Sequence, residues 1–301
     1  MTNQELFSIS SVERDTGLSK DTLRVWERRY GFPQPDRDDN GDRAYPREQV
    51  EKLRLIRRLL DQGKRPSKVV AASTEELVAM LEETAVETPQ AGDIAETDFL
   101  RLVRLHRSVE LRTMLQQLVL KQGLQRFASE TVTALNVAIG QAWVRGELDV
   151  CEEHLYSEQI QNVLRNAIGS HSGGGSRPRI LLTTFPDEQH GLGLLMAEAV
   201  LVPEGATCIS IGVQTPLGDI RTAAIAGQFD IVALSFSGAF PVRQAVEGLN
   251  QLRGMLPPEI ALWAGGAALQ GRRAKLDGIR VIYDLHDALA ALGEWRTKHA
   301  T

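Results

Sequence analysis

The chain has 301 residues, of which 43% are hydrophobic, 24% charged and 5% aromatic, and its 34 basic and 39 acidic side chains give a formal net charge of -5. That length allows two or three domains with a core each; no apolar run reaches the ~18 residues of a membrane span, residues 1–10 lack a basic-then-apolar leader pattern, and Cys151 and Cys208 make neither a disulfide framework nor a thiolate zinc site. A cytoplasmic protein with no membrane partner is expected, and the mildly acidic total alone argues against nucleic acid.

Along the chain the charge is uneven. Residues 1–68 hold 15 basic and 12 acidic side chains, residues 69–100 hold eight acidic and no basic ones, and residues 101–301 balance at 19 each. A basic end beside an acidic connector is the asymmetry of a nucleic-acid reader on a solvated linker. Ile9, Val12 and Leu18 around Gly17 predict a short helix and a tight turn. Ser19 is placed as the N-cap of a second helix over 20–30, with Leu23, Trp26 and Tyr30 on one face. Two short helices across a glycine turn make a helix-turn-helix. Pro33, Pro35, Asn40 and Gly41, ahead of Arg43-Ala44-Tyr45, predict a loop or small β-hairpin, a wing. Pro46 is expected to open a helix carrying Val50, Leu53, Ile56, Leu59 and Leu60 on one face and to close near Gly63. Ser73 and Glu76 predict a capping box.

The expected organisation beyond that is modular. Residues 1–82 form an α-helical winged reader and 83–96 an acidic linker. Residues 97–169 are expected as a four-helix bundle, its helices at 98–107, 108–122, 124–145 and 149–167 punctuated by Gly123, Gly146 and Gly169. Residues 170–178 make a Gly/Ser linker. From 179 to 301 short apolar strands at 180–184, 207–211, 231–235, 260–264 and 280–283 alternate with helices, which predicts an α/β doubly wound, flavodoxin-like parallel sheet of five strands. Such sheets bind ligands beyond the carboxyl ends of their strands, here the loops at 185–193, 235–240 and 265–268.

The run Thr22-Leu23-Arg24-Val25-Trp26-Glu27-Arg28-Arg29-Tyr30-Gly31-Phe32, followed by Pro35, Arg37 and Gly41-Asp42-Arg43-Ala44-Tyr45, resembles the MerR family of winged helix-turn-helix regulators over about 65 residues. Double-stranded operator DNA is the partner this implies. Lys20, Thr22, Arg24 and Arg28 are expected on the DNA from the helix, where cations and helix N-terminal donors meet phosphates, and Arg43 and Tyr45 from the wing. Ordinary members resemble one another in a long pairing helix after this domain; here the acidic linker with Pro89 stands in its place, so self-association falls to the later domains.

Glu188-Gln189-His190-Gly191-Leu192-Gly193 resembles the cobalamin-binding pattern Asp-x-His-x-x-Gly, with Glu in the Asp place. Residues 194–234, 41 in number, separate it from Ser235-Phe236-Ser237, and residues 238–264, 27 in number, lead on to Gly265-Gly266. Both gaps match that family's spacings between its Gly, its Ser-x-Leu and its Gly-Gly. The resemblance implies His190 as the lower axial ligand of cobalt, with Glu188 fixing its tautomer. It also implies a nucleotide tail lying near Gly193, Ser235, Ser237, Gly265 and Gly266, where Ser237 replaces the usual Leu. Trp143, nine residues and then Glu153-His154 complete a pattern that, with its neighbours in this order, resembles the CarH/LitR type of photoreceptor regulators. There a bundle covers the upper face of adenosylcobalamin, with the Trp and Glu near the adenosyl group. Val144 stands where some members have a second cobalt-binding His.

The resemblance thus implies a transcriptional repressor, not an enzyme, that uses adenosylcobalamin (or methylcobalamin) as chromophore, assembles as a dimer or tetramer on DNA in the dark and lets go in light. Two alternatives stay open. One is a MerR-type regulator that responds without light or without cobalamin. The other is a corrinoid subunit of a methyltransferase or mutase, which would need a substrate-bearing barrel.

Overall fold

The computed structural model describes residues 6–38, 41–61, 64–82, 96–144, 146–171, 176–270 and 276–299. Gly63, residues 83–95 of the first expected linker and residues 172–175 of the second lie outside the described residues; residues 170–171 and 176–178, expected in the second linker, belong to a helix and a strand. The chain divides into two compact units, Met1–Thr88 with Ile139–Val150, and Pro89–Ala138 with Cys151–Thr301.

In the first unit, strand β1 (Leu6–Ser8) leads into helix α1 (Ile9–Thr16). Gly17, at φ +67°, closes α1 by donating its N–H to the Glu13 carbonyl, a left-handed turn that side-chain-bearing residues enter only with strain. Helix α2 (Lys20–Tyr30) starts where the sequence places it, with Ser19 accepting the Thr22 N–H at 3.2 Å. The wing is a hairpin of β2 (Asp36–Arg37) and β3 (Arg43–Pro46), and β1 pairs antiparallel with the other edge of β3. β1 was not foreseen, because three residues are too few to show a period of two. Pro46, expected to open the next helix, is instead the last residue of β3, paired with Leu6, and α3 (Arg47–Asp61) starts one residue later. Two helices follow, α4 (Pro66–Val69) and α5 (Thr74–Glu82). At the head of α5 the capping box is reciprocal: Ser73 N–H donates to Glu76 Oε2 at 2.7 Å and Glu76 N–H to Ser73 Oγ at 3.2 Å. Val12, Leu23, Trp26, Tyr45, Leu53 and Ile56 form the centre of this unit's core.

The helical part of the chain runs through α6 (Glu96–Arg104), α7 (Ser108–Gln122), α8 (Leu124–Arg126), α9 (Thr133–Val144) and α10 (Val150–His171). The third expected helix, 124–145, is split: a π-helical turn at Phe127–Val132 joins α8 to α9. Thr133 Oγ1 donates to the Ala128 carbonyl five residues back, and Gln122 Nε2 bonds Thr131 Oγ1 at 2.6 Å, local bonds that favour the wide turn. Phe99 and Tyr156 stack edge to face at 5.6 Å inside the second unit.

The second unit's sheet holds β4 (Ser176–Thr183), β5 (Ala206–Ser210), β6 (Ile231–Ser235), β7 (Ala261–Gly265) and β8 (Ile279–Ile282), all parallel, in the order β5-β4-β6-β7-β8. Helices α11 (Leu192–Leu201), α12 (Leu217–Ala226), α13 (Val242–Met255) and α14 (Leu285–Lys298) connect and cover it. This is the expected doubly wound fold, each strand within a few residues of its expected span. After β4 the chain goes to one side for β5, then returns to the other for β6. The loops after β4 and β6 therefore diverge at a switch point, the place where such sheets bind ligands. Leu181, Val232, Leu234 and Leu262 pack with Ile220, Ala224, Ala245 and Leu249 of α12 and α13 in one core. Among the described residues no helix is long and apolar enough to cross a membrane.

Candidate functional site

The alternation of the strands builds the first feature. On the sheet face opposite α12 and α13, Ala233, Ser235, Trp263 and Gly265 line a cavity of about 470 Å³, closed by Leu194, Met196 and Ala197 of α11 and by Leu285 and Ala288 of α14. Small residues at 233, 235 and 265 leave the room. Gly193 packs against Ser235, whose hydroxyl would have to turn away from a Cβ placed there. Gly266 is required twice: its φ is +105°, and a Cβ would collide with the Phe236 carbonyl oxygen. Thr133, Asn136 and Val137 from the start of α9 line the same cavity, just after the π-turn that re-aims that helix. Asn136 is held there by the buried Tyr156, whose hydroxyl donates to Asn136 Oδ1 at 2.5 Å. Burial pushes the Tyr156 phenol well above its ordinary value, so it stays a neutral donor.

His190 stands at the mouth of this cavity, its side chain 64% exposed, on the loop after β4. Glu188, 1% exposed, lies beneath it. The carboxylate is met by four donors: Oε1 takes His190 Nδ1 at 2.7 Å and His190 N–H at 3.0 Å, and Oε2 takes Ser237 N–H at 2.7 Å and Ser237 hydroxyl at 2.8 Å. Burial pushes the Glu188 carboxyl up, but the hydrogen bonds from His190 and Ser237 together outweigh it and hold the group below its ordinary value. A charged acceptor on Nδ1 favours the tautomer that carries its proton there, which leaves Nε2 as the ring nitrogen for a metal. The loop is tied from below as well, because Thr184 Oγ1 donates to the Glu188 carbonyl at 2.7 Å and accepts Gln214 N–H at 2.8 Å. Ser237, which the sequence links to a bound tail, thus spends its hydroxyl on the carboxylate that orients His190.

The third expected constellation is divided between the two units. Trp143 belongs to the first, where the Arg54 guanidinium lies 5.5 Å from its ring centre, and it does not line the cavity. Glu153 and His154 belong to the second, in the opening turns of α10. There Glu153 accepts His154 Nδ1 at 2.8 Å and the Ser157 hydroxyl at 2.6 Å. Gly146, at φ +69°, makes the turn expected after α9, and the Val144 side chain lies outside the described residues.

In the first unit, Arg24, Val25, Arg28 and Arg29 are exposed on α2, with Lys20 and Thr22 half-buried at its start. Lys20 Nζ lies 3.7 Å from Glu13, and Arg24 pairs with Asp21 at 3.3 Å. The wing residues are arranged differently from the expectation of two groups facing DNA. Arg43 is bound through two nitrogens by Glu27 of α2, at 2.8 and 3.4 Å, and that bond raises its guanidinium pKa. Tyr45 is wholly buried in the core, because its ring is the largest apolar surface the short β3 can bury. Both residues fix the wing to α2.

Residues 7–73 match the model of the MerR HTH family regulatory proteins. Over 289 residues the chain is 27% identical to the HTH-type transcriptional repressor CarH of Myxococcus xanthus, covering 92% of this chain and 94% of that protein. With the HTH-type transcriptional repressor CarA of the same organism it shares 32% identity over 230 residues, 76% of this chain and 75% of the relative. The chain belongs to this family of HTH-type transcriptional repressors. It is a DNA-binding regulator. Its fold is also that of the monomethylamine corrinoid protein of Methanosarcina barkeri, at a TM-score of 0.53 and 12% identity over 65% of this chain and 96% of that one.

For a repressor of this family, sequence reasoning missed four residues. Trp263 and Asn136 line the cavity, and strand alternation from Ser235 and Gly265 could have found the first. Tyr156 carried no local signal, since its bond to Asn136 spans 20 residues. Val25, 41% exposed on α2 between Arg24 and Arg28, was hidden inside a motif read for its charges. An exposed methyl-bearing side chain is the kind of group that packs on a thymine C5 methyl when its helix lies in a major groove.

Proposed function

We propose that this chain is a repressor that binds cobalamin through His190 and uses the adenosyl form to sense light. The observation that carries the reading is the buried Glu188 bonded to His190 Nδ1 at the mouth of the switch-point cavity. The donor set fits the group: an oriented imidazole for cobalt, and a cradle of small residues, Gly193, Ser235, Gly265 and Gly266, along the cavity that a nucleotide tail would enter. Bound adenosylcobalamin supplies a cobalt–carbon bond that light breaks. Glu188 orients His190 through Nδ1 and leaves Nε2 for cobalt, Ser237 holds Glu188 as the carboxylate, and Thr184 holds the loop. Asn136 and Thr133 line the cavity from α9, and the resemblance alone assigns Trp143, Glu153 and His154 to the upper face.

The same reading assigns the chain to the cytoplasm, to double-stranded operator DNA and to a homo-oligomer, dimer or tetramer, in the dark. Assembly matters because a small reader of net charge +3 over residues 1–68 holds a half-site weakly. Joining copies raises avidity by ~10² to 10⁴ without a new contact. Lys20, Thr22, Arg24 and Arg28 are the assigned DNA contacts, with Arg43 and Tyr45 acting as supports of the wing.

Size exclusion and gel shift of the full chain with adenosylcobalamin, in the dark and after green light, test this. The reading expects a larger, DNA-holding species in the dark that is lost on illumination. Identical elution and shift in both conditions would remove light sensing and leave a regulator that responds to cobalamin alone; no response to cobalamin would remove both.

A further inference from the structure

Arg47, Arg54 and Arg58 stand at i, i+7 and i+11 on α3, which puts them in one stripe along a helix face. Within the first unit this stripe meets the segment Ile139–Val150 in reverse order. Arg58 Nη1 donates to the Gly140 carbonyl, the Arg54 guanidinium lies 5.5 Å from the centre of the Trp143 ring, and Arg47 Nη2 bonds Asp149 Oδ1 at 3.1 Å. Three successive matches along two antiparallel stretches form a clasp, where a single surface pair would carry little meaning.

Arg54 does more than cover the tryptophan. Its Nη2 and Nε also donate to Asp15 Oδ2 at 2.7 and 3.2 Å, and both side chains are only 13% exposed. Asp15 is the penultimate residue of α1, directly ahead of the Thr16-Gly17-Leu18 turn that sets α2 in place. One planar cation therefore touches both Trp143 and the element that aims the DNA-reading helix. Its fork can stack on a ring and bind a carboxylate together, which an ammonium does poorly. The helix that carries Trp143 is α9, whose first turn places Thr133, Asn136 and Val137 on the cavity.

We propose that the α3 arginine stripe clasps residues 140–149 and that Arg54, bound to Trp143 and Asp15 together, is the positioning residue through which the ligand state of α9 reaches the helix-turn-helix. Its signalling role rests on the cobalamin reading above; the clasp itself does not.

The test uses the full chain in two arms. In the first, without cobalamin, hydrogen exchange is compared between wild type and Arg54→Ala/Arg58→Ala. The proposal expects amides of 139–150 to exchange at least about tenfold faster in the variant, with the sheet unchanged. Unchanged exchange in that segment overturns the clasp. In the second arm, DNA affinity is measured with and without adenosylcobalamin in the dark, on a duplex enriched in vitro by the loaded wild-type chain. The proposal expects the ratio of the two affinities to fall to within about twofold of one, with cobalamin still bound. A ratio equal to that of wild type overturns the signalling role. Arg54→Lys, which keeps the charge but loses the stacking plane, is expected to lower the ratio at unchanged thermal stability, so a folding defect in the double variant does not decide the matter. A wild-type ratio of one would fail the cobalamin reading instead, and the exchange arm would still judge the clasp.

Discussion

The two halves of the molecule use polar side chains in opposite ways. In the reader they join elements two by two: Arg43 to Glu27 ties wing to α2, the largely buried Arg54 and Asp15 tie α3 to α1, and Lys20 leans on Glu13 nearer the surface. The ligand half builds its site on a buried carboxylate, Glu188, with four donors and a histidine at its edge. Dispersed surface pairs are individually weak and replaceable. A buried charge is not, because removing it strands every donor turned toward it. The lesson is that the reader's exposed pairs tolerate drift, while the largely buried Arg54–Asp15 pair and the sensing site can vary only by exchanges that keep their donors.

Changes in the ligand half should therefore have the larger effects. Gly266→Ala combines a forbidden φ with a collision against backbone, and we expect a loss of about 4 kcal/mol or failure of the second unit to fold, read by urea unfolding. A loss under about 1 kcal/mol would mean that the loop yields easily. Glu188→Ala should cost about 3 kcal/mol, since it leaves the Ser237 and His190 donors without their acceptor. Glu188 also carries a pH signature. Its folded carboxyl titrates below the ordinary 4.5, so its stabilisation is complete above that value and is lost as the pH falls through the folded value. Thermal melts from pH 7 to 3 should show a shallower acid decline for Glu188→Gln than for wild type, and parallel curves would contradict the assigned network.

In the reader the expected changes are smaller. Arg43→Ala removes a partly buried two-point pair and should cost about 1 kcal/mol of stability, while weakening DNA binding by loosening the wing. A loss of DNA binding at full stability would instead make Arg43 a direct contact and sharpen the contrast between the halves. Val25→Ala should leave stability within about 0.5 kcal/mol, because the side chain is exposed. The same change should lower operator affinity by about threefold only where a thymine faces it, the effect of one lost methyl contact. Replacing each operator thymine by uracil in turn would locate that base, and equal affinities throughout would remove Val25 from base reading.

The sequence carried most of this architecture because its signals are local. Ser19, Gly17 and the Ser73/Glu76 pair act within four residues, so the helix starts follow from chemistry that neighbours alone decide. The five strands declared themselves as apolar runs between helices, and the topology followed from that alternation. Pairing at a distance was not legible. β1 exists because β3 offers it an edge, and the π-turn arises from side-chain bonds inside an otherwise continuous helical pattern. In the site, the Glu188–His190 pair could be read from two-residue spacing, whereas the two bonds from Ser237 join loops 49 residues apart. Tyr45 shows the reverse error: its place beside Arg43 in a wing motif suggested a contact surface, and burial decided otherwise.

The account turns on His190 as the cobalt ligand held by Glu188. Its most direct test is the visible absorption spectrum of the full chain loaded with adenosylcobalamin in the dark, compared between wild type and His190→Ala at equal bound cofactor. The account predicts a shift in the cobalt bands when the imidazole is removed. Superimposable spectra would contradict it.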